Sequence, residues 1–164
     1  MGKKEKEKES SIMEINNSFF SKAFWETLLF KQNKWHRHGV FIHTLKVVYQ
    51  VIKAKDYKFI ATAFFHDLGK PIVAYRKEKD FITKEYSFTD HEEKSYQIVK
   101  NWPILSDWSK DMIRYHYLIR DRSNSQKRGH TKRLAKIEAI WDTLSPEFIK
   151  DLEQFLIYDD KGKK

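Results

Sequence analysis

The chain has 164 residues and a net charge of +9 at pH 7, from 32 Lys+Arg against 23 Asp+Glu. With 40% hydrophobic residues it has enough apolar mass for one core without cross-links, and the absence of cysteine excludes disulfides, thiolate nucleophiles and zinc–thiolate sites. Apolar runs are too short to span a bilayer, and the charged N-terminus lacks the apolar segment of a signal peptide, so the expected location is the cytoplasm, with no membrane partner.

Residues 1–11 (MGKKEKEKESS) are charged and without aromatics or periodicity, which predicts a disordered tail, with residues 12–164 forming one domain. From Ile12 to Trp35, apolar residues at Ile15, Phe19, Phe20, Phe24 and Leu28 follow helical spacing until Gly39 interrupts it. A second helix is predicted over Val40–Ala54, with Phe41, Leu45, Val48, Val51 and Ile52 as its apolar face. Asp56 is a plausible N-cap for a third helix over Tyr57–Asp67, closed by Gly69 and kept closed by Pro71.

Residues 72–88 alternate weakly at Ile82, Lys84, Tyr86 and Phe88, which predicts a long loop or a small hairpin with a turn at Lys79-Asp80. A fourth helix is expected from His91 to about Lys100, ended by Asn101-Trp102-Pro103. A fifth runs from Ser106 or Asp107 to about Ile119. Residues 120–133 carry six basic residues and one acid, and their polarity predicts a basic loop. Two helices over Thr131–Leu144 and Pro146–Tyr158 complete an all-α bundle of about six helices.

The chemistry-bearing residues fall at the ends of these elements. His43 lies in the second helix, His66-Asp67 ends the third, His91 opens the fourth, His116 sits late in the fifth and Asp159 closes the last. Helix packing can bring such ends together into a metal site. An adjacent His and Asp after the apolar run Phe59–Phe65 can grip one divalent ion, and a buried carboxylate needs such a partner.

The ordered set is similar to the HD-domain superfamily of metal-dependent phosphohydrolases, whose pattern is H…HD…(H…H)…D on a helical core. Gly39-x-x-x-His43-Thr44-Leu45, His66-Asp67-Leu68-Gly69-Lys70-Pro71, Phe88-x-x-His91-Glu92 and Tyr158-Asp159-x-x-Gly162 resemble the motifs of the HD modules attached to bacterial tRNA nucleotidyltransferases. Ser95 stands where those modules tend to have Gly, and the nucleotidyltransferase domain itself is missing from this sequence.

The resemblance implies that His43, His66, Asp67 and Asp159 hold a first metal. Asp67 then bridges to a second held by His91 and His116, or these two histidines contact substrate and assist proton transfer at a one-metal site. Asp67, Lys70, His91 and His116 are thus the expected catalytic group. Imidazole and carboxylate donors suit Mn²⁺, Co²⁺, Ni²⁺, Fe²⁺ or Zn²⁺, with Mg²⁺ also admissible, as one or two ions. A metal in this setting activates water for attack on phosphorus.

Lys70 is placed either to reach a phosphate or to complement a helix dipole. Arg120, Arg122, Lys127, Arg128 and Lys132 are the basic-segment candidates for further phosphate contacts. Glu92 is a candidate to orient a ligand from behind. The implied function is hydrolysis of a phosphate ester or anhydride of a nucleotide, such as a dNTP or nucleoside phosphate, or of a nucleic-acid end, including a 2′,3′-cyclic phosphate. The alternatives are a non-hydrolytic nucleotide- or RNA-binding HD module and a di-iron oxygenase. Pairing into a homo-oligomer is compatible with the resemblance.

Overall fold

A computed structural model of the chain describes residues 22–164. The expected tail at 1–11 and the first half of the Ile12–Trp35 helix lie outside the described residues. The described part of that helix, α1, spans Lys22–Leu29 and stops well before Trp35. It is followed by α2, Val40–Lys53; a 3-10 turn, Tyr57–Phe59; α3, Ile60–Phe65; and α4, Lys70–Val73. Next come α5, Glu78–Thr83; α6, His91–Val99; α7, Asp107–Tyr115; α8, Leu118–Lys127; α9, Thr131–Trp141; and α10, Pro146–Gly162. The described residues contain helices and isolated bridges but no strands, in line with the predicted all-α bundle.

The main core lies between α2, α3, α7 and α10. Val47, Val48 and Val51 of α2 meet Phe59, Ala63, Met112, Leu152, Phe155 and Tyr158. The inward face of α2 differs from the one its largest side chains suggest. Phe41, Leu45 and Ile52 are exposed, whereas Val40, His43, Val47 and Val51 are buried. Val47 and Val51 follow His43 by four and eight residues, so they share its face. Packing α2 tightly against α10 selects slim β-branched residues there. Gly162 shows how close the approach is, because a Cβ on it would lie 2.5 Å from Val47 Cγ2. The displaced Phe41 and Leu45 instead line an apolar cavity of about 290 Å³ with Phe24, Leu28, Phe64 and Ile98.

Two segments depart from expectation. Residues 72–88 form neither a long loop nor a two-stranded hairpin. A single antiparallel bridge, Tyr75 to Ser87, closes the segment through Tyr75 N to Ser87 O at 3.1 Å and the reverse bond at 2.8 Å. Inside it sits α5, which contains the Lys79-Asp80 pair expected to turn. The helix forms because Asp80 Oδ2 accepts from Lys77 N and Ser87 Oγ, at 2.9 and 2.8 Å, tying its first turn to the returning chain. The excursion docks on α1 and the segment after it: the Tyr86 hydroxyl and Arg76 Nη2 donate to Glu26 Oε2 at 2.5 and 3.4 Å, and Tyr86 N donates to Gln32 O at 3.0 Å.

The basic segment 120–133 is mostly helix, as α8, where polarity predicted a loop. Its inner side is carried by few residues, with Leu118 and Ser125 buried and Arg122 lying 4.5 Å over the Trp141 ring. Gly129 takes φ +67°, and His130 N donates to Ser125 O at 2.9 Å, which ends the helix in a left-handed glycine stop.

Caps follow chemistry where a hydroxyl is available. Ser106 accepts from Ser109 N and Ser145 from Phe148 N, as a serine N-cap should. Asp56 makes no cap bond; its carboxylate instead accepts from the Tyr158 hydroxyl at 3.0 Å, joining the start of the third element to α10.

Gly69 does not end α3, which closes at Phe65, and Pro71 sits in the first turn of α4. The absence of a side chain at Gly69 matters for another reason. A Cβ there would lie 2.5 Å from His91 O and 2.8 Å from both Ser95 N and Lys94 Cβ. Gly69→Ala is therefore expected to destabilise the protein by about 1–3 kcal/mol, as overpacking does. Denaturant unfolding checks this, and an unchanged midpoint would contradict the close contact.

Candidate metal centre

Local structure delivers each ligand-type side chain. His66 and His116 are the residues that close α3 and α7. At a helix end the last carbonyls lack partners within the helix. Both histidines use one: His66 Nδ1 donates to Ala63 O at 3.0 Å and His116 Nδ1 to Ile113 O at 2.7 Å. His91, first in α6, does the same toward Phe88 O at 3.0 Å. A carbonyl can only accept, so Nδ1 carries the proton in all three rings. Each Nε2 is then the ring atom aimed inward, with a free lone pair in neutral His91 and His116 and a second proton in metal-free His66.

The six expected ligand residues converge. His43, His66, Asp67, His91, His116 and Asp159 are all buried. Around Asp67 Oδ2 lie His43 Nε2 at 3.4 Å and His66 Nε2 at 3.3 Å. Asp159 Oδ1 joins them at 2.9 Å from His43 Nε2 and 3.7 Å from His66 Nε2. Around the other oxygen, Asp67 Oδ1, lie His91 Nε2 at 3.5 Å and His116 Nε2 at 3.8 Å. The carboxylate of Asp67 thus faces one group of donors with each oxygen.

Donors sharing one ion at about 2.1 Å are separated by about 3.0–3.4 Å, so the spacing of the first group is close to that of a ligand set. His66 Nε2 and Asp67 Oδ1 are buried without a hydrogen-bond partner, as ligand atoms awaiting a cation would be. The residues present fit a divalent metal.

Adjacent acids are sorted by the helix. Asp159 turns inward with 13% of its side chain exposed, whereas Asp160 is 49% exposed. Asp142 caps the end of α9 and takes no part in the cluster.

Two ammonium groups balance the carboxylates. Lys70 is buried, with Nζ 2.7 Å from Asp67 Oδ2. Lys163 Nζ is 2.7 Å from Asp159 Oδ2 and equally close to Asp160 Oδ1. Lys163 had no place in the sequence reading, although its i+4 spacing from Asp159 on a terminal helix was a visible cue. Ser95 fixes the neighbouring turn: its hydroxyl accepts from Gly69 N at 2.9 Å and donates to His91 O at 2.8 Å, clamping the HDLG turn to α6. His36, outside every motif, packs edge-on against the His43 ring, with centroids 5.1 Å apart. Burial and the Lys70 ammonium push its pKa down to about 2.

The basic-segment candidates do not converge on the cluster. Arg120 pairs with Asp160, and Arg122 with Glu138 at 3.0 Å. Lys127, Arg128 and Lys132 are exposed, and Lys127 lies about 13.5 Å along α8 from Leu118 at the helical rise. Glu92 Oε2 comes within 3.1 Å of His91 Nδ1, but that nitrogen already donates to Phe88 O. Burial raises the Glu92 pKa to about 7.

The protonation pattern of the metal-free cluster follows from this packing. Burial raises the Asp67 and Asp159 carboxyls, but His66 with Lys70, and His43 with His66, outweigh it and hold both well below the usual range. Burial also opposes a charge on His66, yet Asp67 and Asp159 overcome it and lift its pKa to about 9. Burial together with the Lys70 ammonium lowers His91 to about 4; burial and the charge on His66 hold His116 well below its ordinary value.

A family model described as HD domain matches residues 40–147, about two thirds of the chain. The chain belongs to the HD-domain family. The HD superfamily is one of metal-dependent phosphohydrolases, and the His/Asp groups at Asp67 are of the type that holds a divalent ion. Asp159 lies beyond the matched span, and its place beside His43 is supplied by the fold. No curated protein and no solved structure matches the chain. Among the described residues no helix is long and apolar enough to cross a membrane.

Metal binding needs the lone pair of His66 Nε2, which carries a proton at neutral pH. The sign follows: below about 9 a proton must leave as metal enters, and above it none does. Apparent metal affinity is expected to rise by about tenfold per pH unit from pH 7 to pH 9 and then level off. The charge on His66 contributes stability in full below its unfolded value of about 6.5, and the metal-free protein loses that contribution as pH rises through about 9. Calorimetric titration with Mn²⁺ across this range tests both; a flat affinity profile would contradict the protonation of His66.

Proposed function

We propose that this protein is a metal-dependent phosphohydrolase that cleaves a phosphate ester or anhydride of a nucleotide or nucleic-acid end, using two neighbouring divalent ions. The single observation that carries this reading is the division of Asp67, with Oδ2 toward His43 and His66 and Oδ1 toward His91 and His116. One carboxylate facing two donor groups is the arrangement needed to bridge two ions. His43, His66, Asp67 and Asp159 would hold the first, and Asp67, His91 and His116 the second. Such ions supply Lewis-acid polarisation and an activated water when bound.

The protein's own groups do the remaining work. The Nδ1 bonds of His66, His91 and His116 fix ring orientation, so the site is organised before substrate arrives. Lys70, next to Asp67 and within 5.8 Å of the Phe88 ring centroid, is the buried cation best placed to neutralise a phosphoryl oxygen. Net charge +9 favours an anionic substrate reaching the site. Lys127 and Arg128, at the far end of α8, and Lys132, in the first turn of α9, would serve only a substrate long enough to extend along α8. A cytoplasmic location and pairing into a homo-oligomer are part of this proposal.

The test combines stoichiometry with turnover. Wild-type protein is expected to bind two equivalents of Mn²⁺, His116→Ala one, and Asp67→Ala none, by elemental analysis after equilibrium dialysis. Phosphate release from nucleotides and from a generic phosphate ester should appear in the wild type and vanish in Asp67→Ala. Nucleotide binding without phosphate release under any of Mn²⁺, Co²⁺, Ni²⁺, Fe²⁺, Zn²⁺ or Mg²⁺ would instead establish a binding module. Oxygen consumption by the iron-loaded protein would establish an oxygenase.

A further inference from the structure

The turn before α2 presents an aromatic ring beside the centre described above. Asn33 Oδ1 accepts from Trp35 N at 3.0 Å and from His36 N at 3.2 Å, and lies 3.1 Å from His36 Nδ1. Those contacts, with His36 N also reaching Asn33 O at 3.2 Å, close a tight turn. The turn places two neighbouring rings in opposite environments. His36 is packed against His43, a residue of the candidate metal centre, whereas Trp35 is 69% exposed. The same segment touches the other side of the site, because Arg37 N reaches Lys163 O at 3.5 Å, and Lys163 holds Asp159.

A single exposed aromatic is ordinary on a protein surface. Trp35 differs in what surrounds it. Lys34 Nζ sits over its ring at 4.9 Å, Arg37 is exposed two residues on, and the backbone carrying all three is fixed by a side chain rather than left to move. An exposed indole on a fixed turn, flanked by two cations, is the combination that stacks a base while drawing in its phosphate. The platform is joined to the centre through its neighbour in the chain, because His36 packs on His43, whose Nε2 is 3.4 Å from Asp67 Oδ2.

We propose that Trp35 is the base-stacking subsite of this protein, with Lys34 and Arg37 as its cationic flanks, so that the substrate is a phosphate compound bearing a nucleobase. The proposal rests on the candidate metal centre being where phosphate binds. It assigns Trp35 a role in substrate selection, through the ring of the ligand and not through the reacting phosphorus.

The test is ligand selectivity, read as equilibrium binding to the full chain with Mn²⁺. Adenosine 5′-monophosphate and ribose 5-phosphate are the probes, equal in phosphate and sugar and differing in the base. Wild type should prefer the adenosine compound. Trp35→Ala should lower its affinity about 5- to 150-fold, the usual range for loss of a stacking ring, and leave ribose 5-phosphate unchanged. Trp35→Phe should recover most of the loss.

Equal weakening for both probes would mean that Trp35 supports the turn only, and the proposal falls. It falls equally if Trp35→Ala has no effect, or if wild type binds neither probe or shows no preference. Failure of hydrolysis is a separate result: a wild type that releases no phosphate yet keeps a Trp35-dependent preference for the base rejects the enzyme reading and leaves this one standing.

Discussion

The Asp67 carboxylate is a negative charge almost wholly removed from water, and the surrounding architecture answers it. Left alone such a charge would cost several kcal/mol. Here its Oδ2 meets Lys70 and stands near His43 and His66, and its Oδ1 faces His91 and His116. Those partners come from α2, from the turn between α3 and α4, and from the ends of α6 and α7. One buried acid therefore requires several helices to meet at one point. Asp159 adds a second negative charge from α10, balanced by Lys163 and by His43.

This balance makes the cluster receptive to a metal. Two lysines and a charged His66 offset two carboxylates in the metal-free state. An entering dication takes the place of the His66 proton and competes with Lys70 for the same oxygen. His91 and His116 already stand neutral, because burial and nearby cations disfavour their charge. The protein thus keeps most ligand atoms in the form a metal requires, with His66 carrying the principal proton to be exchanged.

The supporting contacts are made by backbone as much as by side chains. The last-turn carbonyls of α3 and α7 orient His66 and His116, and Phe88 O orients His91. Gly69 lets the HDLG turn approach the α6 backbone, and Ser95 locks the two together through Gly69 N and His91 O. Gly162 does the corresponding service beside His43, since a Cβ there would come within 3.3 Å of the ring. The Ser95 side chain is accommodated in this close contact because its hydroxyl finds both a donor and an acceptor.

From the amino-acid order alone, the all-α class and the His and Asp residues that converge around Asp67 were legible. Helical periodicity and His/Asp spacing are local properties, and the identity of a ligand type is written in its side chain. The inward face of α2, the helix at 118–127 and the small helix inside 72–88 were not legible. Each depends on what packs alongside: α10 selects valines over Phe41 and Leu45, Trp141 covers the Arg122 stem, and Ser87 ties Asp80 from across the bridge. The same limit applies to charge. Composition showed the excess of cations, but only tertiary contacts decided that Arg120 and Arg122 pair with acids while Lys70 and Lys163 turn inward. Ion pairing depends on distances between residues far apart in the chain, and those distances exist only once the helices have packed.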